Sequence, residues 1–508
     1  MKKVITIVIM LTIWSFPLYG AADEPPPVPA QEQPEVLTSG PVHEAFAEPV
    51  NLQVQGGLVA PIEPPANIVE SPPAERPVGS QYVWVPGYWA WDNDRNDYIW
   101  VSACWRAVPP NRYWVPGYWS RAANGWEWVA GFWKPVGVQE IQYLPSPPVL
   151  VDVQPTGPPP SIDVIWVPPC NYWYGGHYVL RAGYWLHQQP GWVWVASHNL
   201  WTPRGYVFVE GHWDFALERR GVLFAPVYFP RHVYLQPRFV YSPSIIIDIG
   251  VLQISLFAYP RYCHYYFGDY YDDAYLSVGI YPWFESERRH IWYDPFFSYA
   301  RWHHRDEPRW EENERREYDL RRENKEFRPA RTYHEMEIRE AKMPEPRRKN
   351  FRMAEPLTVV AAASKETSLK FEHINTKAQQ KITTQATAVH KFREDRNRWE
   401  SPVIGQKSTQ PPTAHKGPVT PPAERKQPLQ PVTEQHKGSV TPSEKKNPVF
   451  VSPREVRATK AEKVKISKSP IVGKHVSGKT RVTPPPNPAG ERQQSGDNKN
   501  KDKGKGKK

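Results

Sequence analysis

Few residues in this chain stand in arrangements that do chemistry. His303 and His304 with Asp306 make the tightest metal-like group, but they precede a charged helical stretch and read as a surface cluster. Asp269, Asp272 and Asp273 put three carboxylates close together. Calcium takes several oxygen ligands, yet this spacing fits no calcium loop and reads as a solvated turn. GxSxG, HExxH, the phosphate-binding loop and paired-cysteine metal motifs are all absent from the sequence. Sixteen histidines are present, but no spacing selects a triad. The sequence therefore names no catalytic, cofactor-binding or metal-binding residue and reads as a non-enzyme. What remains is aromatic chemistry: burying rings, or stacking them on a ligand.

The rings are concentrated. Of 23 Trp, 17 lie between Trp84 and Trp213. Trp84, Trp100, Trp114 and Trp128, then Trp166, Leu180, Trp194 and Phe208, recur at a spacing of 14, with one interval of 16 inside the first set. With each of these as position 0, position +1 is Val in seven of eight copies, and Arg181 is the exception. Position +3 is small in seven, including Gly87, Gly117, Gly131, Gly183 and Gly211, and Pro169 is the exception. Position +5 is Trp89, Trp105, Trp119, Trp133, Trp185 or Trp213 in six copies, and position −2 is aromatic in six. Such a period means a repeated structural unit.

Fourteen residues hold one strand and a turn. Turn chemistry separates the copies, as at Ala123-Asn124-Gly125 and Gly175-Gly176. Pro86, Pro116 and Pro168 at position +2 exclude helix. The fold class is therefore mainly β: two antiparallel meander blocks of four strands each, then short charged helices, with long disordered flanks. Positions 0 and +5 fall on opposite faces of a regular strand. A bulge at the +3 glycine, with φ > 0, would bring them together. The expected result is one aromatic face, carried by Trp84, Trp89, Trp100, Trp105, Trp114, Trp119, Trp128, Trp133, Trp185, Trp194 and Trp213. Those rings read as core or as an exposed platform for sugar rings of a wall polymer. Each buries about 150–250 Å² if covered.

The strings YVWVPGYW at Tyr82, YWVPGYW at Tyr113, WEWVAGFW at Trp126 and YVFVEGHW at Tyr206 resemble the bacterial YXWGXW (WXXGXW) repeat proteins. HEAFAEPV at His43, LERRGVLFAPVYF at Leu217, PRYCHYYFGDYYDD at Pro260 and GIYPWF at Gly279 are similar to large exported planctomycete members. The resemblance implies export and an envelope setting, and no established biochemical activity.

Lys2 and Lys3, an apolar run from Val4 to Phe16, and small residues to Ala22 read as a secretory signal peptide over 1–22. The expected product is an exported protein, periplasmic, at the cell surface or extracellular, with no transmembrane span after cleavage. Proline clusters mark residues 23–80 as a disordered segment and 136–163 as a linker. They flank repeat block one (81–135) and precede block two (164–240). An aromatic β-rich segment (241–300), a charged helical segment (301–345) and a mixed segment with a weak helix (346–400) follow. Residues 401–508 carry 23 Lys and Arg against 8 Asp and Glu, a net of +15 in a chain of net +11. Too polar to fold alone, this tail suits an anionic envelope or matrix polymer. No specific nucleic-acid site is legible, and a polysaccharide is the alternative partner, through exposed Trp and Tyr faces. Cys104 and Cys170 both sit at position +4; stacked blocks would let them pair in an oxidising compartment, leaving Cys263 free. Buried reduced thiols are the alternative.

Overall fold

The computed structural model describes residues 33–401, except 54, 139, 152, 349 and 364–368, together with 462–465. The architecture is mainly β, in antiparallel hairpins, with helices toward the C-terminal side. Two repeat copies make one long hairpin, and there are four. The first joins Tyr82–Val85 and Tyr88–Asp92 to Asp97–Val101 and Cys104–Ala107. The second runs from Arg112 to Pro135, the third from Val164 to His187 and the fourth from Trp192 to Phe215. Hydrogen bonding within the repeats runs inside each hairpin.

Every strand is interrupted at positions +2 and +3, and its partner is interrupted at the same level. In the first hairpin Val85 pairs with Cys104 and Tyr88 with Val101, leaving two residues unpaired on each side. The same count holds at Val115–Phe132 and Tyr118–Val129, and in the other two hairpins. No strand carries an extra residue, so the interruption is a symmetric kink and not the expected bulge. The motif glycines Gly87, Gly117, Gly131, Gly183 and Gly211 do not take positive φ; Gly125, Gly175 and Gly176, at hairpin tips, do.

The kink also divides the expected aromatic face. Position 0 of one copy pairs with position +5 of the next, giving Trp84–Trp105, Trp89–Trp100, Trp114–Trp133 and Trp119–Trp128 contacts at 5.0–5.3 Å between ring centroids. The inner pairs, Trp89–Trp100 and Trp119–Trp128, enter the largest apolar cluster with Phe257, Tyr262 and Phe392. The outer pair Trp114–Trp133 joins a second cluster, and Trp84–Trp105 a third. All eight rings of the first two hairpins are buried, so they are core. Trp166 and Trp185 of the third hairpin, and Trp194 and Trp213 of the fourth, are only half-buried.

Segments expected to be disordered are packed instead. Residues 33–80 wrap the repeats as short extended pieces, a geometry that proline tolerates, and bury Val42, Phe46, Val50, Ala60 and Ile68. The linker contains the strand Glu140–Leu144, which pairs with the fourth hairpin on one edge and with Glu462–Lys465 of the tail on the other. The signal-peptide stretch and the rest of the tail lie outside the described residues. The apolar run near Ile245 forms the strand Ile245–Ile247, a short helix and the strand Leu256–Tyr259. Helices Pro295–His303, Trp310–Glu323 and Tyr333–Ala341 follow, and then a long helix, Thr376–Glu400, packs on the kinks of the first two hairpins.

Candidate functional site

The glycine of each repeat is explained by the indole of its partner. At position +3 of one copy the backbone lies against the position 0 ring of the paired copy. A Cβ at Gly131 would stand 2.3 Å from Cζ2 of Trp114, and one at Gly183 would stand 2.3 Å from Cζ2 of Trp166. Gly117 faces Trp128 at 2.6 Å, Gly211 faces Trp194 at 2.8 Å and Gly87 faces Trp100 at 2.8 Å. Glycine is needed for space. Where the paired position 0 is not Trp, position +3 is not Gly: Pro169 opposes the Leu180 copy and Ser197 the Phe208 copy. Ala103, opposite the Trp84 copy, is the one departure.

The kinks of the first, second and fourth hairpins each free two N–H and two C=O groups that the ladder would otherwise pair, the third one N–H fewer because Pro169 has none, and burial makes such groups costly to leave unmet. In the second hairpin Glu44 accepts from Gly117 N through Oε1 (2.8 Å) and from Gly131 N through Oε2 (3.0 Å). Arg396 Nη1 donates to the carbonyls of Pro116 (2.8 Å) and Ala130 (3.0 Å). In the first hairpin Glu70 accepts from Gly87 N, Ala103 N and Trp100 Nε1 at 2.7–3.0 Å. Arg393 donates to Gly87 O, and His43 Nε2 lies 3.2 Å from Pro86 O. The fourth hairpin meets the same need locally: Ser197 Oγ accepts from Gly211 N, and His198 and His212 turn Nδ1 back to the carbonyls of Ala196 and Glu210. Glu44, Glu70, Arg393 and Arg396 are all buried. Arg396 also pairs with Glu400 at 3.0 Å, and Glu400 accepts from the hydroxyls of Tyr118 and Tyr143.

Burial sets the ionisation of these groups. It raises the Glu44 carboxyl and pushes Glu70 up to about 7, against the pull of its hydrogen bonds. It lowers His43, His264, His212 and His390 to about 3. Tyr88 links two of them: its hydroxyl donates to His264 Nε2 at 2.6 Å, because Nδ1 of that ring already donates to Tyr262 O, and it accepts from Glu44 N, while its ring lies edge-on to His43. Asp214 behaves differently: burial would raise it, but Arg106 and Arg220 hold it below the usual carboxylate range. The same two arginines donate to the carbonyls of Ala45 and Phe46, fixing the turn that carries Glu44.

A cleft of about 510 Å³ opens where the third hairpin meets residues 286–305. Trp166 and Trp185 line one side, their centroids 5.2 Å apart and their planes at 66°. Trp302 and Arg305 line the other, with the guanidinium 4.5 Å above the indole. Glu287, His290 and Arg301 also border it.

The description "WXXGXW repeat (2 copies)" fits residues 79–106, 113–134 and 190–214. These are WXXGXW repeats. The two-copy unit of that family corresponds to one kinked hairpin, and the three matched stretches are the first, second and fourth. The third hairpin lies outside the match. No curated protein and no solved structure matches the chain.

The WXXGXW glycines and rings singled out in the sequence thus meet as partners across each hairpin. Cys104 and Cys170 do not pair: all three cysteines are buried free thiols. Cys104 packs in an apolar cluster with Val85 and Leu223, while Cys170 lies in another sheet opposite Arg181. The acidic turn is neutralised by arginines, Asp269 and Asp272 by Arg328 and Asp273 by Arg322. His304 pairs with Glu307, and among the described residues no group of three or more metal-ligating side chains forms. Sequence reasoning missed Glu44, Glu70, Arg393 and Arg396. A signal for the arginines was present: Val389, Arg393, Arg396 and Glu400 recur at helical spacing on the same side as Phe392.

Proposed function

We propose that this chain is a non-catalytic structural and interaction protein of the cell envelope or extracellular matrix. Its WXXGXW hairpins form a rigid scaffold, and its cationic tail engages an anionic polymer. The observation that carries the reading is the use made of buried acids and bases. Glu44, Glu70, Arg393 and Arg396 are committed to backbone groups of the kinks, an arrangement that holds a shape. Export rests on the leader-like N-terminus, and the expected mature chain begins near Asp23. Among the described residues no helix is long and apolar enough to cross a membrane.

The test is affinity for a soluble polyanion such as dextran sulfate, measured across a salt series with the whole chain and with one whose tail lysines are replaced by glutamine. Counterion release predicts a steep fall in affinity with salt. Salt-insensitive binding, or full binding without the tail lysines, would refute the tail's role.

A further inference from the structure

We propose that the cleft at the third hairpin is a binding site for a neutral glycan segment. Trp166 and Trp185 occupy the positions that Trp84–Trp105 and Trp114–Trp133 occupy in the first two hairpins. There the pair is core, at most 6% exposed; here it stays half-buried beside an open space. This is also the hairpin that the repeat family does not match. Across the cleft Trp302 is only 7% exposed, yet its indole N–H has no acceptor among the described residues. Buried donors of this kind ordinarily find a partner.

Charge selects the ligand's class. Arg301 is held by Glu287 and Glu311, and Arg305 lies 3.3 Å from Asp163. The charged groups at the rim are paired with one another, so the cleft favours neither an anion nor a cation. What it offers is half-buried indole surface from Trp166 and Trp185, together with paired guanidinium and carboxylate groups whose remaining edges can meet hydroxyl groups. A pyranose has that duality: C–H faces that settle on the negative face of an indole, and a rim of hydroxyls. The volume lies within the range of small-molecule sites, roughly 300–1,000 Å³. Pro155, Pro159 and Pro168 line the cleft and stiffen it, which lowers the ordering cost of binding.

The cleft binds without cleaving. Asp294, the other carboxyl on its lining, accepts from Phe296 N, Phe297 N and the Tyr265 hydroxyl as the cap of helix Pro295–His303. Glu287 is gripped by both terminal nitrogens of Arg301. Neither carboxyl is free to move a proton to a glycosidic oxygen. The site stands apart from the tail reading above.

The experiment titrates the whole chain with neutral β-1,4-linked gluco-, xylo- and manno-oligosaccharides, followed by calorimetry and Trp fluorescence at low and high salt. At least one series should bind saturably, with affinity unchanged by salt, whereas dextran sulfate binding through the tail should fall. Trp185→Ala should weaken glycan binding roughly tenfold or more, as loss of a Trp anchor does. Trp213→Ala, the equivalent change in the fourth hairpin and outside the cleft, should leave it unchanged. Near-UV circular dichroism checks that both variants fold. The proposal is overturned if none of the three series binds at millimolar concentration, if the two variants lose binding equally, or if shortened oligosaccharides accumulate. A failure of salt-sensitive dextran sulfate binding would refute only the tail's role.

Discussion

At the scale of single residues, the WXXGXW pattern is a statement about two strands at once. Gly131 is small because Trp114 lies on it, so the two should be energetically coupled. Gly131→Ala forces an indole or a carbonyl to move and should cost about 1–3 kcal/mol. With Trp114→Leu already in place the same substitution should cost less, by at least ~0.5 kcal/mol in a double-mutant cycle. Strict additivity in urea melts would contradict the packing account. The carboxylates make a second case. Glu70→Gln turns an acceptor into a donor among three donors, and Glu44→Gln does the same between Gly117 N and Gly131 N. Each should destabilise by about 1–3 kcal/mol, and an unchanged urea midpoint would show that the kinks are satisfied otherwise. The glycine–indole pairing left a trace in the sequence, since the Leu180 and Phe208 copies pair with copies lacking Gly at +3, but the spacing alone reads those glycines as a bulge, and only the hairpin register shows which copies are partners. The carboxylates left none. Glu44 and Glu70 sit in Pro-rich stretches whose composition resembles linker, and their role follows only from where the kinks lie.

At the scale of elements, the hairpins cannot be understood without what closes them. A kinked strand exposes peptide groups on a face that the core covers, and three separate pieces of chain supply the missing partners. The turn at His43–Ala47 brings Glu44 and His43, the extended piece near Glu70 brings its carboxylate, and the helix Thr376–Glu400 brings Arg393 and Arg396. Two strings outside the repeats, HEAFAEPV at His43 and LERRG at Leu217, are among the ones that build or brace these partners. The 14-residue period made strands and turns visible from composition alone. The symmetric kink was not visible, because a single strand read in isolation gives no hint that its partner breaks at the same level. The helix gives the sharpest test. Arg396→Met removes both carbonyl contacts and strands Glu400 beside Tyr118 and Tyr143, and loss of one member of a buried pair costs about 3–5 kcal/mol. Arg398→Met, one turn-face away and exposed, should change stability little. Equal effects of the two in thermal melts would mean that the helix docks through its apolar residues alone.

At the scale of the whole molecule, the buried ionisable groups set a pH profile. His43, His212, His264 and His390 have folded values near 3 against an ordinary 6.5, because burial disfavours the cation. The unfolded chain therefore binds protons first, and the stability these groups contribute is complete above pH 6.5 and lost as pH falls toward 3. Glu70, raised from 4.5 to about 7, and Asp294, raised from 3.8 to about 6, act in the other sense. Burial favours the protonated form of both, so their contribution is complete below the unfolded values and lost as pH rises through 4.5–7 and 3.8–6. Glu44 is shifted in the same direction. Between pH 4.5 and 6.5 the four histidines outnumber the three opposing carboxyls, so stability should fall gently as pH falls. Below 4.5 the histidines go increasingly unopposed, and Asp214, held low by Arg106 and Arg220, adds a loss in the same direction. The fold should fail steeply there, by about 1.4 kcal/mol per pH unit for each net proton taken up. Above 6.5 the histidines fall silent while Glu70 still ionises, and stability should decline gently toward neutrality. Urea midpoints from pH 3 to 8 measure this directly. The expected curve has a maximum near pH 6.5, a gentle slope in mild acid and a sharp acid edge, and replacing Glu70 by Gln should flatten its neutral side while lowering the whole. A maximum at pH 8, with the acid edge already begun at 6.5, would mean that the carboxyls of the kinks are ionised in the folded chain and that the sockets hold charge instead of neutral acid.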